Sequence, residues 1–178
     1  MDDGDRDWAD APTAGGTRSN GQVEPDRFRR VLGAFPTGVT VVTAATARGP
    51  VGLSVGSFTS VSLEPPLVGF LPAVSSMSWP LIAEGGRFCV NVLSENQEDV
   101  ARLFATPGAE RFDGMPWTAA PYSGAPILNG VLAWIDCDVA GVSEAGDHHF
   151  VLGEVRALGM RGSGNPLVFF RGDYRALR

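Results

Sequence analysis

A stretch of small and hydroxyl-bearing residues, from Gly52 to Ser62, has the composition of a ligand-binding surface. Side chains alternate between the two faces of a β-strand, so Gly52, Ser54 and Gly56 share a face that is too small to form a core by itself. Glycine inside a strand often marks the close approach of a ligand or another backbone. The pattern is typical of a surface for a flat ligand with polar edges, and equally of a bulged barrel strand with solvated serines.

The other residues that could do chemistry are few. His148 and His149 are adjacent, so in a strand they point to opposite faces and form no metal-binding pair. Cys89 and Cys137 each lie in apolar runs, without a nearby cysteine or histidine at metal-ligand spacing, and are expected to be buried free thiols. All 14 basic residues are arginines, which excludes a lysine Schiff base and a lysine general base.

Other functional classes lack their sequence signatures. The glycine spacing fits no dinucleotide-binding fingerprint, and a serine nucleophile elbow is absent. Residues 1–26 contain seven acidic residues and two arginines, so they carry −5 of the net charge of −6 and leave no basic surface for nucleic acid. With no secretory signal and no apolar run near 20 residues, the sequence predicts a cytoplasmic protein that does not cross a membrane.

The 178 residues are enough for one domain. Residues 1–24 have the polar, glycine-rich composition of a disordered acidic leader, and the folded domain is predicted to span 25–178. After Pro25, apolar residues at helical spacing predict a helix with one buried stripe that ends at Pro36: Phe28, Val31, Leu32 and Phe35.

From Gly38 onward the period changes to that of strands. Strands are predicted at 39–44, 51–62, 67–71, 88–92, 131–142, 150–160 and 167–171, the first two forming a hairpin near Gly49-Pro50. Short helices are predicted at 78–84, with Ser78 as a possible N-cap, and at 95–105, where Ser94 and Gln97 form a capping box. Residues 107–130 show no period and are predicted to be an ordered loop. The fold class is therefore mainly β, a barrel with two or three short helices.

Six motifs in a fixed order carry a resemblance to a known family. They run from Phe35 to Thr43, from Gly52 to Ser62, at Pro65-Pro66-Leu67, from Phe88 to Leu93 with Gln97, at Gly146-Asp147-His148, and from Phe170 to Tyr174. Over residues of about 28 to 177, this order resembles the short-chain flavin reductases that serve two-component flavin-dependent monooxygenases. The resemblance implies an FMN-binding split β-barrel, a homodimer, and reduction of FMN or FAD by NADH or NADPH. It also implies a separate oxygenase as partner.

The resemblance also implies which residues contact the flavin. Two segments resemble the family's flavin-contacting segments, and their hydroxyls and backbone amides suit the polar edge of a flat ring. A serine-rich turn resembles the family's phosphate-binding turn, where a simple N-cap is the alternative interpretation. The implied flavin-binding residues are Thr37, Gly38, Val39, Thr40, Ser54, Val55, Gly56, Ser57, Ser60, Ser75, Ser76, Ser78, Trp79, Phe104, Arg171 and Tyr174.

His148 has two interpretations. It is either a polar residue at the end of a hairpin, where Gly-Asp dipeptides commonly occur, or, by resemblance, a residue beside the flavin that positions the nicotinamide. Arg171 is implied to contact a phosphate or carboxylate, and a structural salt bridge is an equal alternative. The predicted function is an NAD(P)H:flavin oxidoreductase; the alternatives are a flavin-holding protein or electron carrier without nucleotide turnover, and a flavin-free dimeric interaction module.

Overall fold

The computed structural model describes residues 23–108, 110–161 and 163–177. It divides the chain into two units, of which the first ends at Phe35 and the second begins at Pro36. Most of the acidic leader predicted for residues 1–24 lies outside the described residues. No helix in the described ranges is long and apolar enough to cross a membrane.

The first unit contains the predicted N-terminal helix, α1, over Pro25–Gly33, with a proline in its first turn. Proline suits this position because the first amides of a helix have no acceptor within it. The expectation that its apolar stripe is buried is wrong for the single chain, because Phe28, Val31, Leu32 and Phe35 are each at least half exposed. Periodicity predicts a helix, but it does not say what covers the apolar face.

The second unit is built around an antiparallel sheet of seven strands, with a sheet of three strands and a sheet of two strands beside it. In the large sheet the order is β3-β2-β6-β9-β10-β5-β4; the smaller sheets are β1-β11-β12 and β7-β8. The strands are β1 Thr37–Gly38, β2 Thr40–Thr46, β3 Gly49–Val55, β4 Thr59–Leu63, β5 Pro66–Phe70, β6 Arg87–Val92, β7 Trp117–Ala119, β8 Pro126–Leu128, β9 Ala133–Ala145, β10 His148–Met160, β11 Leu167–Phe170 and β12 Asp173–Ala176. Two further helices are α2 Trp79–Gly85 and α3 Glu98–Ala105.

The predicted strand over 51–62 is two strands in the structure. β3 ends at Val55, and the chain bends through Gly56-Ser57-Phe58 before β4 begins at Thr59. The small residues at this point let the chain leave one edge of the large sheet and join the opposite edge, because β3 and β4 are its two edge strands. The hydroxyl-rich stretch is therefore a corner between strands as well as a strand face.

Two helix starts also differ from the sequence prediction. α3 begins at Glu98 rather than near residue 95, and only half of the capping box forms: the Gln97 side chain accepts from the Ser94 backbone amide at 3.0 Å. At α2 the Ser78 side chain makes no capping bond; instead the Ser76 hydroxyl accepts from the Trp79 amide at 3.2 Å. A serine two residues earlier therefore takes the role that was predicted for Ser78.

The predicted loop over 107–130 contains β7 and β8, which sequence periodicity did not reveal because each strand has only three residues. Asp136 fixes the turn between them, since its buried carboxylate accepts from the backbone amides of Tyr122 and Ser123 at 2.9 and 3.1 Å. β1 and β12 were also missed. Both cysteines are buried and free, as predicted.

The core consists of two apolar clusters on opposite sides of β2 and β6. Along β2, Val41 belongs to the cluster that includes α3, whereas Val42 belongs to the cluster that includes α2. Alternation therefore buries both faces of this central strand. Helices thus cover the sheet on two sides and leave the β3–β4 corner at its margin.

Candidate functional site

The two segments predicted to contact a flavin lie side by side. β2 and β3 pair antiparallel, with Thr40 opposite Val55. Residues 37–39 precede β2 and residues 56 and 57 follow β3, so both segments adjoin the same end of this hairpin. The Thr40 hydroxyl donates to the Val55 carbonyl at 3.0 Å and is buried. Its side chain therefore holds the two segments together and is not exposed to a ligand.

A second contact joins this pair to the loop before α2. The Ser57 hydroxyl accepts from the Leu71 amide at 2.9 Å and lies 3.3 Å from the Leu71 carbonyl, to which it donates. Ser57 was the expected side-chain contact to the edge of a flavin ring, but its hydroxyl already has both partners in the backbone. The exposed Gly56 and the remaining backbone between residues 54 and 57 are left as the accessible groups.

The same loop meets the tip of the β9–β10 hairpin. Val74 donates its amide to the Asp147 carbonyl at 2.9 Å, and His149 donates its amide to the Pro72 carbonyl at 2.9 Å. Backbone bonds thus place His148 beside the turn that leads to Ser75 and Ser76. The described structure brings together four segments that are far apart in sequence, at residues 37–40, 54–57, 71–76 and 147–149.

His148 is partly exposed, and its orientation is set by its neighbour. Its Nδ1 atom lies 2.7 Å from Asp147 Oδ1, and this hydrogen bond lowers the pKa of the Asp147 carboxyl. An ionised carboxylate only accepts hydrogen bonds, so Nδ1 carries the proton in this contact and Nε2 is left as the free nitrogen. His149 points elsewhere and lies against the Trp79 ring, with 6.4 Å between the ring centroids.

The C-terminal strands approach the site through β1. Thr37 lies opposite Phe169 of β11, which in turn lies opposite Tyr174 of β12. Tyr174 packs edge-on against Phe169, Arg102 lies over its ring, and partial burial raises the pKa of its hydroxyl. Arg171 lies away from this row in the β11–β12 turn, where its guanidinium lies 5.1 Å from the Phe170 ring centroid.

Glycines on the same predicted strand face have different neighbours. A Cβ atom at Gly52 would lie 2.7 Å from a ring carbon of Phe104, so the close approach there is made by a helix side chain. At the exposed Gly56, a Cβ atom would lie 3.2 Å from the Thr37 hydroxyl oxygen. Glycine at position 56 therefore keeps open the surface between the two segments, whereas Gly52 makes room for the core.

Several of the expected flavin-binding side chains are buried in packing roles. Trp79 packs edge-on against Phe70, and Phe104 packs edge-on against Phe112; both are less than 5% exposed. The side chains of Val39 and Val55 also lie in the core. The predicted positions whose residues remain partly or fully exposed are Thr37, Gly38, Ser54, Gly56, Ser57, Ser60, Ser75, Ser76, Arg171 and Tyr174.

Sequence reasoning missed Arg111, which lies close to Ser78. The Arg111 guanidinium donates to the Ser78 hydroxyl at 2.6 Å and to the Gly52 carbonyl at 2.7 Å through Nη1, and to the Thr106 carbonyl at 2.8 Å through Nη2. Burial lowers the pKa of this guanidinium. No sequence pattern could have found it, because the segment around residue 111 has no period and its partners are up to 59 residues away.

Among the described residues, the arrangement suits the binding of a ligand with polar edges. It offers hydroxyls, backbone amides and carbonyls along an exposed corner, with one imidazole beside them. A family model described as "Flavin reductase like domain" matches residues 32–178.

The chain belongs to this flavin reductase family.

Relatives with assigned names agree with this membership. The chain is 51% identical over 153 residues to a flavin reductase of Pseudomonas putida, a match that covers 85% of this chain and 89% of the relative. It is 46% identical over 158 residues to a protein of Mycobacterium tuberculosis (strain H37Rv) named flavin-dependent monooxygenase, reductase subunit HsaB, covering 88% and 84% of the two chains.

A solved structure extends the comparison to the fold. The NADH:FAD oxidoreductase SgcE6 of Streptomyces globisporus C-1027, in complex with NAD and FAD fragments, superposes with a TM-score of 0.84. The two share 35% sequence identity, and the match covers 93% of this chain and 98% of the other. The prediction of a mainly β, split-barrel-like fold with two or three short helices is confirmed, and the described residues form three.

Proposed function

We propose that this flavin reductase family member takes a hydride from NADH or NADPH onto FMN or FAD and supplies the reduced flavin to a separate monooxygenase. The observation that carries the proposal is the family match over residues 32–178, together with close relatives named as a flavin reductase and as the reductase subunit of a monooxygenase. NADH is supported as donor by the similarity to the Streptomyces globisporus NADH:FAD oxidoreductase, whose structure contains NAD and FAD fragments.

The residues at the β3–β4 corner fit a flavin. An isoalloxazine ring needs a flat surface with hydrogen-bonding groups along one edge. At Gly56 there is no side chain, and the Thr37 hydroxyl lies 3.2 Å from where a Cβ atom would be. Thr37, Ser54 and the backbone of residues 56 and 57 would hold the ring edge, and Ser75 and Ser76 would hold the phosphate. When bound, flavin and nicotinamide supply the hydride transfer between them.

The protein contributes orientation and a controlled environment. Hydrogen bonds through Thr40 and Ser57 fix the corner against β2 and the loop before α2, which preorganises the backbone that would contact the ring. In its neutral form, His148 held by Asp147 presents Nε2 as a hydrogen-bond acceptor. In this proposal Nε2 accepts from the carboxamide of the nicotinamide and so places the donor against the flavin.

A homodimer is part of the proposal. It is supported by the apolar stripe of α1 and by further apolar residues on the described surface, such as Leu158 and Met160, which are 67% and 83% exposed. Large apolar side chains left exposed on each unit are typical of an interaction site. Light scattering coupled to size-exclusion chromatography measures the mass directly, and a monomer at micromolar concentration would contradict this part of the proposal.

The test of the activity is a set of four anaerobic stopped-flow mixtures, NADH and NADPH each against FMN and FAD, with flavin absorbance as the readout. At least one pair is expected to show turnover, and the pairs also rank the donors and the flavins. Tight flavin binding without reduction by either nucleotide would favour a flavin-holding protein. A protein that binds neither flavin would favour a flavin-free interaction module.

His148 provides a residue-level test of the same proposal. His148→Ala is expected to raise KM for the nicotinamide nucleotide about 3- to 10-fold, the value of one lost hydrogen bond, while leaving the flavin Kd nearly unchanged. The matched control is His149→Ala, because the His149 side chain lies against the buried Trp79 ring, and its backbone amide, which bonds Pro72, is kept in the variant. Unchanged nucleotide kinetics in the His148 variant would remove it from the nicotinamide site.

A further inference from the structure

Phe169 is an aromatic side chain of β11 that the described residues leave partly uncovered. It is 38% exposed, and it belongs to neither of the two core clusters. A single exposed apolar side chain is ordinary on a protein surface. The position of Phe169, next to the corner that fits a flavin, gives this one a specific meaning.

Phe169 and the β3–β4 corner meet at Thr37. Thr37 and Phe169 are opposite each other in the antiparallel pairing of β1 with β11, so their side chains lie on the same face. The Thr37 hydroxyl oxygen in turn lies 3.2 Å from the place of a Cβ atom at Gly56. One surface therefore carries no side chain at Gly56, a small hydroxyl at Thr37 and an aromatic ring at Phe169.

Residues beside Phe169 support its ring. Tyr174 is opposite Phe169 in the pairing of β11 with β12 and packs edge-on against it, with 5.2 Å between the ring centroids. The Arg102 guanidinium lies 4.9 Å from the Tyr174 ring centroid, and Arg102 Nε donates to Glu98 Oε1 at 2.8 Å. Because the ring already has this support, little side-chain entropy is lost when a ligand packs against it.

The surface from Gly56 to Phe169 changes from polar to apolar, and an isoalloxazine ring system changes in the same way. One end of the ring system carries carbonyl and N–H groups, and the other end is a benzene ring with two methyl groups. Ser54 and the backbone of residues 56 and 57 suit the first end, whereas Phe169 suits the second. The reverse placement would bury carbonyl groups against an aromatic ring without a hydrogen bond.

The spacing of the strands agrees with this placement. Neighbouring strands lie about 4.8 Å apart, so a tricyclic ring system over Thr37 reaches the neighbouring strand β11. Phe169 is the residue of β11 that lies opposite Thr37.

We propose that Phe169 packs against the dimethylbenzene end of the flavin ring system and thereby fixes which end of it lies at the β3–β4 corner. This assignment rests on the proposed function, because it requires a flavin at the corner. The flavin-binding residues implied by the family resemblance do not include Phe169. Phe169 is thus a further residue that orients the flavin and distinguishes it from analogues without the methyl groups.

Equilibrium binding of riboflavin and of the analogue that lacks both ring methyl groups tests the proposal without any turnover. The two ligands differ at the dimethylbenzene end alone, and quenching of flavin fluorescence by the full chain gives each Kd. Wild type is expected to bind riboflavin about 10-fold more tightly than the analogue, the value of two buried methyl groups. Phe169→Ala is expected to weaken riboflavin binding about 10-fold and to reduce the ratio of the two Kd values to about twofold or less.

Phe170→Ala is the matched control. Phe170 is the next residue of the same strand, so its side chain lies on the opposite face, where the Arg171 guanidinium is 5.1 Å from its ring centroid. This variant is expected to keep the wild-type ratio of the two Kd values. Phe169→Leu retains an apolar side chain without the ring, so an intermediate ratio is expected.

The outcomes separate this inference from the proposed function. Equal affinities of wild type for the two ligands, or an unchanged ratio in Phe169→Ala, would overturn the inference and leave the proposed function intact. If Phe169 instead packs against a second copy of the chain, Phe169→Ala lowers the mass measured by light scattering and leaves the ratio unchanged, which also overturns it. Wild-type protein that binds no flavin would overturn both.

A measurement on the wild-type protein covers the case in which Phe169→Ala fails to fold. In the riboflavin complex, nuclear Overhauser effects are expected between the ring methyl protons of the flavin and the ring protons of Phe169. Phe169→Leu identifies these signals, because they disappear in that variant. A complex whose flavin methyl protons show no effect to a phenylalanine ring would overturn the proposal.

Discussion

Gly52→Ala tests whether this glycine serves the core rather than the ligand. Its Cβ atom would lie 2.7 and 3.0 Å from two ring carbons of Phe104 and 3.1 Å from the Val42 carbonyl oxygen. Phe104 is 1% exposed and packs edge-on against Phe112, with 5.2 Å between ring centroids. The ring is buried and already packed against Phe112, so the methyl group overpacks the site.

Overpacking of this kind costs about 1–3 kcal/mol. For a chain of this length, that corresponds to a fall in Tm of about 2–12 °C. Urea denaturation followed by tryptophan fluorescence measures the free energy of unfolding, with the m-value as a check that the transition stays two-state. Flavin affinity is expected to change little, because Gly52 is covered by Phe104.

The partner substitution Phe104→Leu makes the test specific. Leucine lacks the ring carbons that meet the new methyl group, so the double variant is expected to recover about 1 kcal/mol or more relative to the sum of the single variants. Two results would refute this account of the strand. One is a Gly52→Ala protein whose free energy of unfolding lies within about 0.5 kcal/mol of wild type, and the other is a double-mutant cycle with Phe104→Leu that shows no coupling energy.

Three other outcomes are expected. Gly56→Ala is expected to change the free energy of unfolding by less than about 0.5 kcal/mol, since only the Thr37 hydroxyl must rotate away. The same variant is expected to bind flavin more weakly in a fluorescence titration. A flavin affinity equal to that of wild type would place the flavin elsewhere. Asp147→Asn shifts the proton of His148 away from Nδ1, which long-range ¹H–¹⁵N spectra detect because the chain has only two histidines. The hydrogen bond to His148 lowers the pKa of Asp147 in the folded state. The bond therefore stabilises the fold above the ordinary carboxyl pKa of about 4, and this stabilisation is lost as pH falls through the lower pKa of the folded state. A stability difference between wild type and Asp147→Asn that grows in acid would contradict this account. Burial raises the pKa of the Cys89 thiol and raises that of the Cys137 thiol to about 12. A disulfide reagent at pH 8 is therefore expected to label both thiols only at the rate of unfolding. Fast labelling of the native protein would contradict their burial.

Local patterns predicted much of the fold. The β2–β3 hairpin, the long strands β9 and β10, and helices α1 and α2 follow from periodicity, turn residues and proline position. The elements that were missed are short: β1 has two residues and β7 has three. Such strands exist because neighbouring strands supply their hydrogen bonds, and a single sequence carries no record of those partners.

The candidate site was predicted only in part, because the sequence carries local patterns but not the contacts between distant segments. Small residues at 54–57 and the Gly-Asp-His motif identified two of its segments, because residue type limits what a surface can bind. The buried positions of Trp79 and Phe104 were not predictable, since an aromatic side chain suits a core and a ligand equally well. Arg111 was missed because its partners Gly52 and Ser78 come from other elements.

The sequence by itself determined that this chain is a mainly β protein with hydroxyl-rich corners and a sparse set of ionisable groups. It also carried the ordered motifs by which the family is recognised. Only the tertiary structure decided that Gly52 makes room for Phe104 while Gly56 keeps a surface open, although both share one strand face in the sequence pattern. The physical reason is that alternation fixes which side a residue faces, whereas packing of distant elements fixes what it faces there.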